Sequence, residues 1–368
     1  MNMLFSILWF LIIFSIVVVS HEFGHFIVAR ANGIRVKEFM VGFGPAIFKH
    51  KKGDTTYKIC ILPLGGACVY DGMDELYDDP KDGASENASE GTSDSEPKDK
   101  ALFPNASPWA RFATIIAGPV FNFILGFIVA FIMVNLIAIR EPVATSIMEG
   151  SAAEEAGLQA GDRIIALNGS RIYLYDEISL FTALYRGGEV LVTYERDGVR
   201  GNLVITPVYN EEYGRYLFGI SNETFVEELK GLDAFKYTWY EMRYNVVNVW
   251  RSLGALLTGR LARENVSGPV GVVNMVGDII EETSPYGMMT VFVNMLNLML
   301  LLTVNLGVFN LLPVPALDGG RLLFAIIEIL RGKPIEPKKE AYVHLAGMVL
   351  LMVIVVIVFF NDLHNIFY

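Results

Sequence analysis

The sequence predicts a multi-pass α-helical membrane protein. Four helices cross the bilayer, a β-rich stretch lies beside it after the first helix, and one α+β domain sits outside. Three observations carry this. Of the 368 residues, 53% are hydrophobic, and the mean hydropathy is +0.42, too apolar for a soluble domain of this size. Four stretches each hold the roughly 20 predominantly apolar residues that a spanning helix needs. Between the second and third lies a long segment, residues 140–290, whose turns and short periodic runs read as a folded domain.

The first span covers residues 1–33, apolar over 4–19 apart from two serines and continuing through HEFGH. A cleaved signal would open with cationic residues and end at a small-residue site, whereas no Lys or Arg precedes Arg30. The expectation is a retained helix. Residues 34–72 read as short strands broken at Gly42, Gly44 and Pro45 and turned at KKGD, residues 51–54. A free strand edge there accepts an extended peptide by β-addition; a hairpin that only seals the bundle is the other use.

Residues 73–108 read as a disordered acidic tether. Residues 71–100 hold 11 acidic and three basic residues, with Ser, Gly and Asn throughout, and such a stretch cannot bury enough apolar surface to order itself. It supplies most of the net charge of -11, so that figure says little about partners, and no nucleic acid is expected among them. The remaining spans are 109–140, 291–324 and 342–362, with apolar centres at 112–139, 291–312 and 342–360. Arg30, Arg35, Lys37, Lys49, Lys51, Lys52 and Lys58 follow the first span, and Arg321, Arg331, Lys333, Lys338 and Lys339 lie in or beside the loop 325–341. The positive-inside rule makes both loops cytoplasmic, leaving both termini and residues 140–290 outside. Cys60 and Cys68 then face the reducing side, as small buried residues with no bridge.

The chemistry sits in the first span. His21 and His25 are four apart on a helix, so both imidazoles leave one face and grip one metal ion, with Glu22 beside them. In metalloproteases of this pattern zinc acidifies a water, and the glutamate moves its proton to the leaving amine. A chance HExxH is rare in a chain with five histidines. Catalytic zinc usually takes three protein ligands. His50, His344 and His364 lie in settings that do not look built for one. Asp318, in FNLLPVPALDGGRLLF (residues 309–324), stands in a segment that two prolines and two glycines keep from regular helix. Irregular backbone at membrane depth lines a cavity or is buried in protein, so Asp318 is the expected third ligand.

HEFGH on the first span, GPVFN (118–122) on the second and NLLPVPALDGG (310–320) on the third resemble the site-2 protease family of intramembrane zinc metalloproteases. With LPLGG (62–66) and the outer domain, the likeness is to the bacterial regulator-of-sigma-E-protease type. It implies Zn2+ held by His21, His25 and Asp318, Glu22 as general base, and substrate contacts from Asn310 and Asn122. It implies a membrane-associated β-element at 34–72, a cell-membrane location with the active site toward the cytoplasm, and single-pass membrane proteins in the lipid bilayer as substrates. Anti-sigma factors and signal-peptide remnants are the implied classes, cut after a first extracytoplasmic cleavage. An inactive scaffold is disfavoured because the ligands and base are all present. A metal transporter is disfavoured because spans two and four lack acidic and His residues in their interiors.

Residues 142–208 are similar to a PDZ domain: SAAEEAGL forms a helix, GDRI a turn into a strand, and NG ends it. Either it filters substrates by size or its groove binds a trimmed end. In the connecting region 209–290, Phe235, Trp239, Met242, Val246, Val249, Leu253 and Leu256 recur at spacings of four and three, an amphipathic helix from Asp233. Its aromatics suit the outer membrane interface; packing on the PDZ-like domain is the alternative. SGPVG (267–271) reads as a loop at a helix boundary.

Overall fold

The computed structural model describes residues 3–72, 99–223, 225, 226, 229, 231–259 and 267–367. They form two compact units, one of Met1–Gly126 with Val266–Tyr368 and one of Phe127–Asn265. Four helices are long and apolar enough to cross a membrane: Leu4–Ala31, Pro108–Leu136, Met288–Leu311 and Lys339–His364. The last three begin a few residues before their apolar centres. Helix starts are set by caps as well as by hydropathy: Ser107 Oγ accepts the Ala110 N–H at 3.2 Å, and Pro108 fits the first turn, where no N–H is needed.

Helix α1 (Met3–Ala31) leads into a long antiparallel hairpin, β1 (Val36–Lys52) and β2 (Thr55–Tyr70), closed where Lys52 faces Thr55. The expected breaks at Gly42, Gly44 and Pro45 are present: residues 38–41 pair with 66–69 on one side and with 56–59 on the other, so the ribbon folds back on itself there. Pairing shifts around them and resumes, with Phe43 opposite Leu62 and Ala46 opposite Cys60. Gly42 and Gly44 have φ of +83° and +91°, which glycine adopts without strain, so the chain turns there and brings residues 48–51 to the far side of 56–59. At the hairpin base Val36 and Tyr70 are buried with Phe26, Ile34 and Phe103. Cys60 and Cys68 are free thiols.

Most of the acidic tether, residues 73–98, lies outside the described residues. Its end does not behave as a tether. A short helical turn at Phe103–Asn105 places Phe103 at 4.6 Å from the Tyr70 ring in a stack. The Arg35 N–H reaches Ala101 O at 2.8 Å, and the Arg35 guanidinium pairs with both Asp71 and Asp99. One aromatic and one arginine thus order residues that composition alone assigns to solvent.

Helix α2 (Pro108–Leu136) carries the chain into the second unit. There β3 (Ile139–Arg140), β4 (Ser146–Ile147), the short α3 (Ala152–Glu155), β5 (Arg163–Leu167), β6 (Ser170–Arg171), α4 (Tyr175–Leu184), β7 (Val190–Arg196) and β8 (Val199–Ile205) follow. A sheet in the order β6-β5-β7-β8 covers a core of Ala153, Leu158, Ile164, Leu167, Ile178, Val190 and Val192. Asp162 of the GDRI turn is fully buried, clasped at both oxygens by Arg196 at 2.7 Å. The strands run on past residue 208. After β9 (Val208–Asn210) and β10 (Arg215–Leu217), β11 (Ile220–Ser221) and β12 (Phe225–Val226) pair back to β4 and β3.

Helix α5 (Asp233–Leu257) begins at the expected residue, but its stripe is divided. Met242 and Val249 are buried while Phe235, Trp239 and Leu256 are exposed. Within this unit α5 packs through Tyr240 on Tyr173 at 4.4 Å and through Arg243 to the buried Glu177 at 2.6 Å.

In the first unit α6 (Pro269–Thr283), α7 (Met288–Leu311), α8 (Asp318–Arg331) and α9 (Pro337–Phe367) complete the chain. Ile13 and Phe10 of α1 pack with Val276 and Ile280 of α6 and Met295 and Leu298 of α7. The SGPVG segment is a helix start whose Gly268 and Gly271 N–H groups are both accepted by the buried Asp362 of α9, at 2.8 and 2.9 Å. The third span, expected over 291–324, is two helices. Only residues 312–317 are irregular, where Pro313 and Pro315 lack N–H groups. Gly319 and Gly320 are helical and close-packed: a Cβ on them would lie 2.0 Å from Leu312 O and 2.6 Å from Val314 O. Helix α8 also occupies 325–331, expected as loop, and stops at Gly332, whose φ is +65°.

Candidate metal centre

One turn of α1 separates His21 from His25, and both are 6% exposed. Their Nε2 atoms stand 3.2 Å apart. Asp318, the first residue of α8, brings Oδ2 to 3.0 Å from His21 Nε2 and 3.2 Å from His25 Nε2. Ligand atoms on a tetrahedral ion with bonds of ~2.0–2.1 Å stand about 3.3 Å from one another, so this triangle has the dimensions of three zinc corners. Among the described residues it is the only such group of His, Cys, Asp and Glu. Asp318 Oδ2 is buried with no hydrogen-bond partner, a cost that a cation in the triangle removes.

The surrounding shell sets the imidazole protons. His25 Nδ1–H donates to the Thr114 carbonyl at 2.9 Å, leaving the Nε2 lone pair for a metal. The Asn122 amide lies 3.1 Å from His21 Nδ1 through its nitrogen, and its Oδ1 is buried without a partner. Amide O and N are interchangeable by rotation. Turned over, Oδ1 accepts His21 Nδ1–H, and the orphaned oxygen and the His21 tautomer are satisfied together. The main chain of Asn122 is fixed by Thr303 Oγ1, which donates to the Asn122 backbone carbonyl at 3.0 Å. Gly118 forms the wall: a Cβ there would lie 2.4 Å from His25 Nε2 and 2.8 Å from His21 Cε1. Gly24, inside HEFGH, does the same for the helix crossing, since its Cβ would meet Ala117 O at 2.5 Å. Glu22 is half-buried, and β2 passes it closely enough that a Cβ on Gly66 would be 3.2 Å from Glu22 Cγ.

Of the expected residues, His21, His25, Asp318, Glu22 and Asn122 are thus neighbours. Asn310, half-buried in the last turn of α7, makes no hydrogen bond to the two histidines or Asp318. His344 does not fit its sequence reading as an unbuilt position. It is 6% exposed and accepts the Ala316 N–H on Nδ1 at 3.0 Å, two residues before Asp318. Gly118 and Thr114 carry no signal of their own in the sequence beyond the GPVFN pattern, because their roles arise where α2 crosses α1.

A buried His-His-Asp triangle joining a helix long enough to span a membrane to the start of the shorter α8, with a glutamate alongside, has the donor set that a zinc peptidase centre needs. The profile of Peptidase family M50 matches residues 9–354, and the chain belongs to that family, the site-2 proteases. It is similar to a putative zinc metalloprotease of Clostridium acetobutylicum, 29% identical over 358 residues with 97% of each chain covered. It is 32% identical to the zinc metalloprotease RasP of Geobacillus kaustophilus, covering 98% of each chain. The regulator of sigma-W protease RasP of Bacillus subtilis is 29% identical, with 98% of this chain and 99% of that one covered. The protein is a zinc-dependent intramembrane metallopeptidase.

Proposed function

We propose that this peptidase cuts single-pass membrane proteins within or near the bilayer, toward its cytoplasmic side, after another protease has removed their outer domain. The observation that carries it is the triangle of His21, His25 and Asp318 beside Glu22. His21, His25 and Asp318 would hold the zinc, which when bound would supply an acidified water and a Lewis acid for the scissile carbonyl. Glu22 takes the water's proton and delivers it to the leaving amine. Thr114 and Asn122 orient His25 and His21 through their Nδ1 atoms, turning both Nε2 atoms toward the metal site. A helix must be unwound before its carbonyls can be reached. Support for how comes from β2: it pairs only with β1 among the described residues, and its Gly66 lies against Glu22, so a peptide added along its free edge runs past the base.

A relative named as a regulator of sigma-W protease supports anti-sigma factors as substrates, with signal-peptide remnants a second class. The basic residues after the first span and before the fourth support a topology with both termini outside the cytoplasm. The PDZ-like module acts as a size filter; a receptor for trimmed ends is the reading favoured by the cavity of about 100 Å³ lined by Tyr175, Ile178, Arg215 and Phe218. Co-expression of wild type and Glu22→Gln with truncated and full-length single-pass proteins tests the reading. Truncated substrates should vanish only with wild type, and equal processing by both would overturn it.

A further inference from the structure

The bend at 312–317 that delivers Asp318 has little to hold it from within. Pro313 and Pro315 have no N–H to give, and its internal hydrogen bonds run from Val314 N–H to Leu312 O and from Leu317 N–H to Val314 O. Ala316 has φ of +75°, a left-handed conformation that a residue with a Cβ keeps only under constraint. The constraint comes from α9. His344 Nδ1 accepts the Ala316 N–H at 3.0 Å, so the imidazole proton resides on Nε2. The Phe324 ring of α8 packs on the imidazole with centroids 5.6 Å apart. Gly347, nearly one turn on, touches the other side of the bend, where a Cβ would lie 2.4 Å from Pro315 Cβ and 2.5 Å from Pro315 O. Within the most apolar stretch of the fourth span this seat is an exception, because only 11% of that stretch is buried.

We propose that His344 is a positioning residue for the metal centre: its Nδ1, with Gly347 beside it, clamps the Ala316 bend and so fixes Asp318 Oδ2 against the two histidine Nε2 atoms. Metal affinity then depends on a helix that contributes no ligand. The inference rests on Asp318 being a ligand, and reaches past it to what holds that ligand in place.

The test uses the full-length protein in detergent and compares His344→Phe, which fills the ring volume without an acceptor, with His344→Asn, whose Oδ1 stands near the position of Nδ1. Zinc affinity is read by chelator competition, and hydrogen exchange is followed across 312–318 in the zinc-free protein. Loss of such an outer partner typically costs 10–100-fold in metal affinity. His344→Phe and Gly347→Ala should each lose about that much and exchange faster at 312–318, while His344→Asn should stay within about threefold of wild type. His344→Phe with wild-type zinc affinity and unchanged exchange would overturn the clamp. So would an Asn variant as weak as Phe with exchange raised equally in α1, since ring packing alone would then be at issue. Asp318→Ala is the separating control: full zinc retention there overturns the ligand assignment itself.

Discussion

Gly118 of α2 lies against His25 of α1 so closely that the smallest side chain would stand 2.4 Å from His25 Nε2. The contact is with ring atoms that are themselves fixed by the Thr114 carbonyl, so the imidazole has nowhere to retreat. Gly118→Ala should therefore cost at least tenfold in zinc affinity and abolish cleavage. Wild-type zinc content in a folded variant, measured by metal analysis, would mean that α1 and α2 separate at this point.

Glu22→Gln should abolish peptide cleavage and leave zinc stoichiometry intact. The amide cannot take a proton from water, and none of the three ligand atoms belongs to it. Residual activity within tenfold of wild type, in an assay with purified enzyme and a transmembrane peptide, would remove Glu22 from its role.

Asn122 separates two readings of a buried amide. If it orients His21 by accepting Nδ1–H, then Asn122→Asp keeps the acceptor and should retain zinc, while Asn122→Ala leaves the donor unpaired and should weaken zinc by about 10–100-fold. Equal zinc affinity in both variants would make Asn122 a helix-packing residue only.

The parts legible in the sequence were those carried by local spacing: the HEFGH turn, the four spans and the start of α5 at Asp233. Asp318 was legible because two prolines within three positions break a helix whatever surrounds them. Gly319 and Gly320 misled for the same local reason, since their role is to let α8 start against Leu312 and Val314. His344 was illegible because a lone histidine at the head of an apolar span says nothing of which N–H it will meet. Phe103 likewise gains its meaning from Tyr70, more than thirty residues away.

The tether therefore divides at Asp99. Arg35 binds Asp71 on one side of the stretch and Asp99 on the other, so the ends are already close and a short Gly/Ser linker spans them. Replacing residues 74–98 should leave activity within about twofold, because a solvated linker needs only reach. Phe103→Ala should instead destabilise the first unit by about 3 kcal/mol or more, seen as a lower melting temperature. A linker variant that is stable yet inactive would show that the acidic stretch docks.

The seat of α5 should respond to pH near neutrality. Burial pushes the Glu241 carboxyl up to about 7, helped by Asp176 and Glu177 and opposed by Arg140. Its folded value thus lies above the ordinary carboxylate range, and the sign follows: the helix docks most firmly while Glu241 is protonated. That contribution is complete below about pH 4.3 and is lost as pH rises through about 7. At 1.36 kcal/mol per unit it is at most roughly 4 kcal/mol. Hydrogen exchange of α5 amides, corrected for intrinsic rates, should rise from pH 6 to pH 8 in wild type. In Glu241→Gln, neutral throughout, protection at pH 8 should match that at pH 6, because no charge is left to repel Asp176 and Glu177. A wild-type profile flat across this window, or a Gln variant that loses protection just as wild type does, would show that the Tyr173–Tyr240 stack and the Arg243–Glu177 pair hold α5 without regard to Glu241.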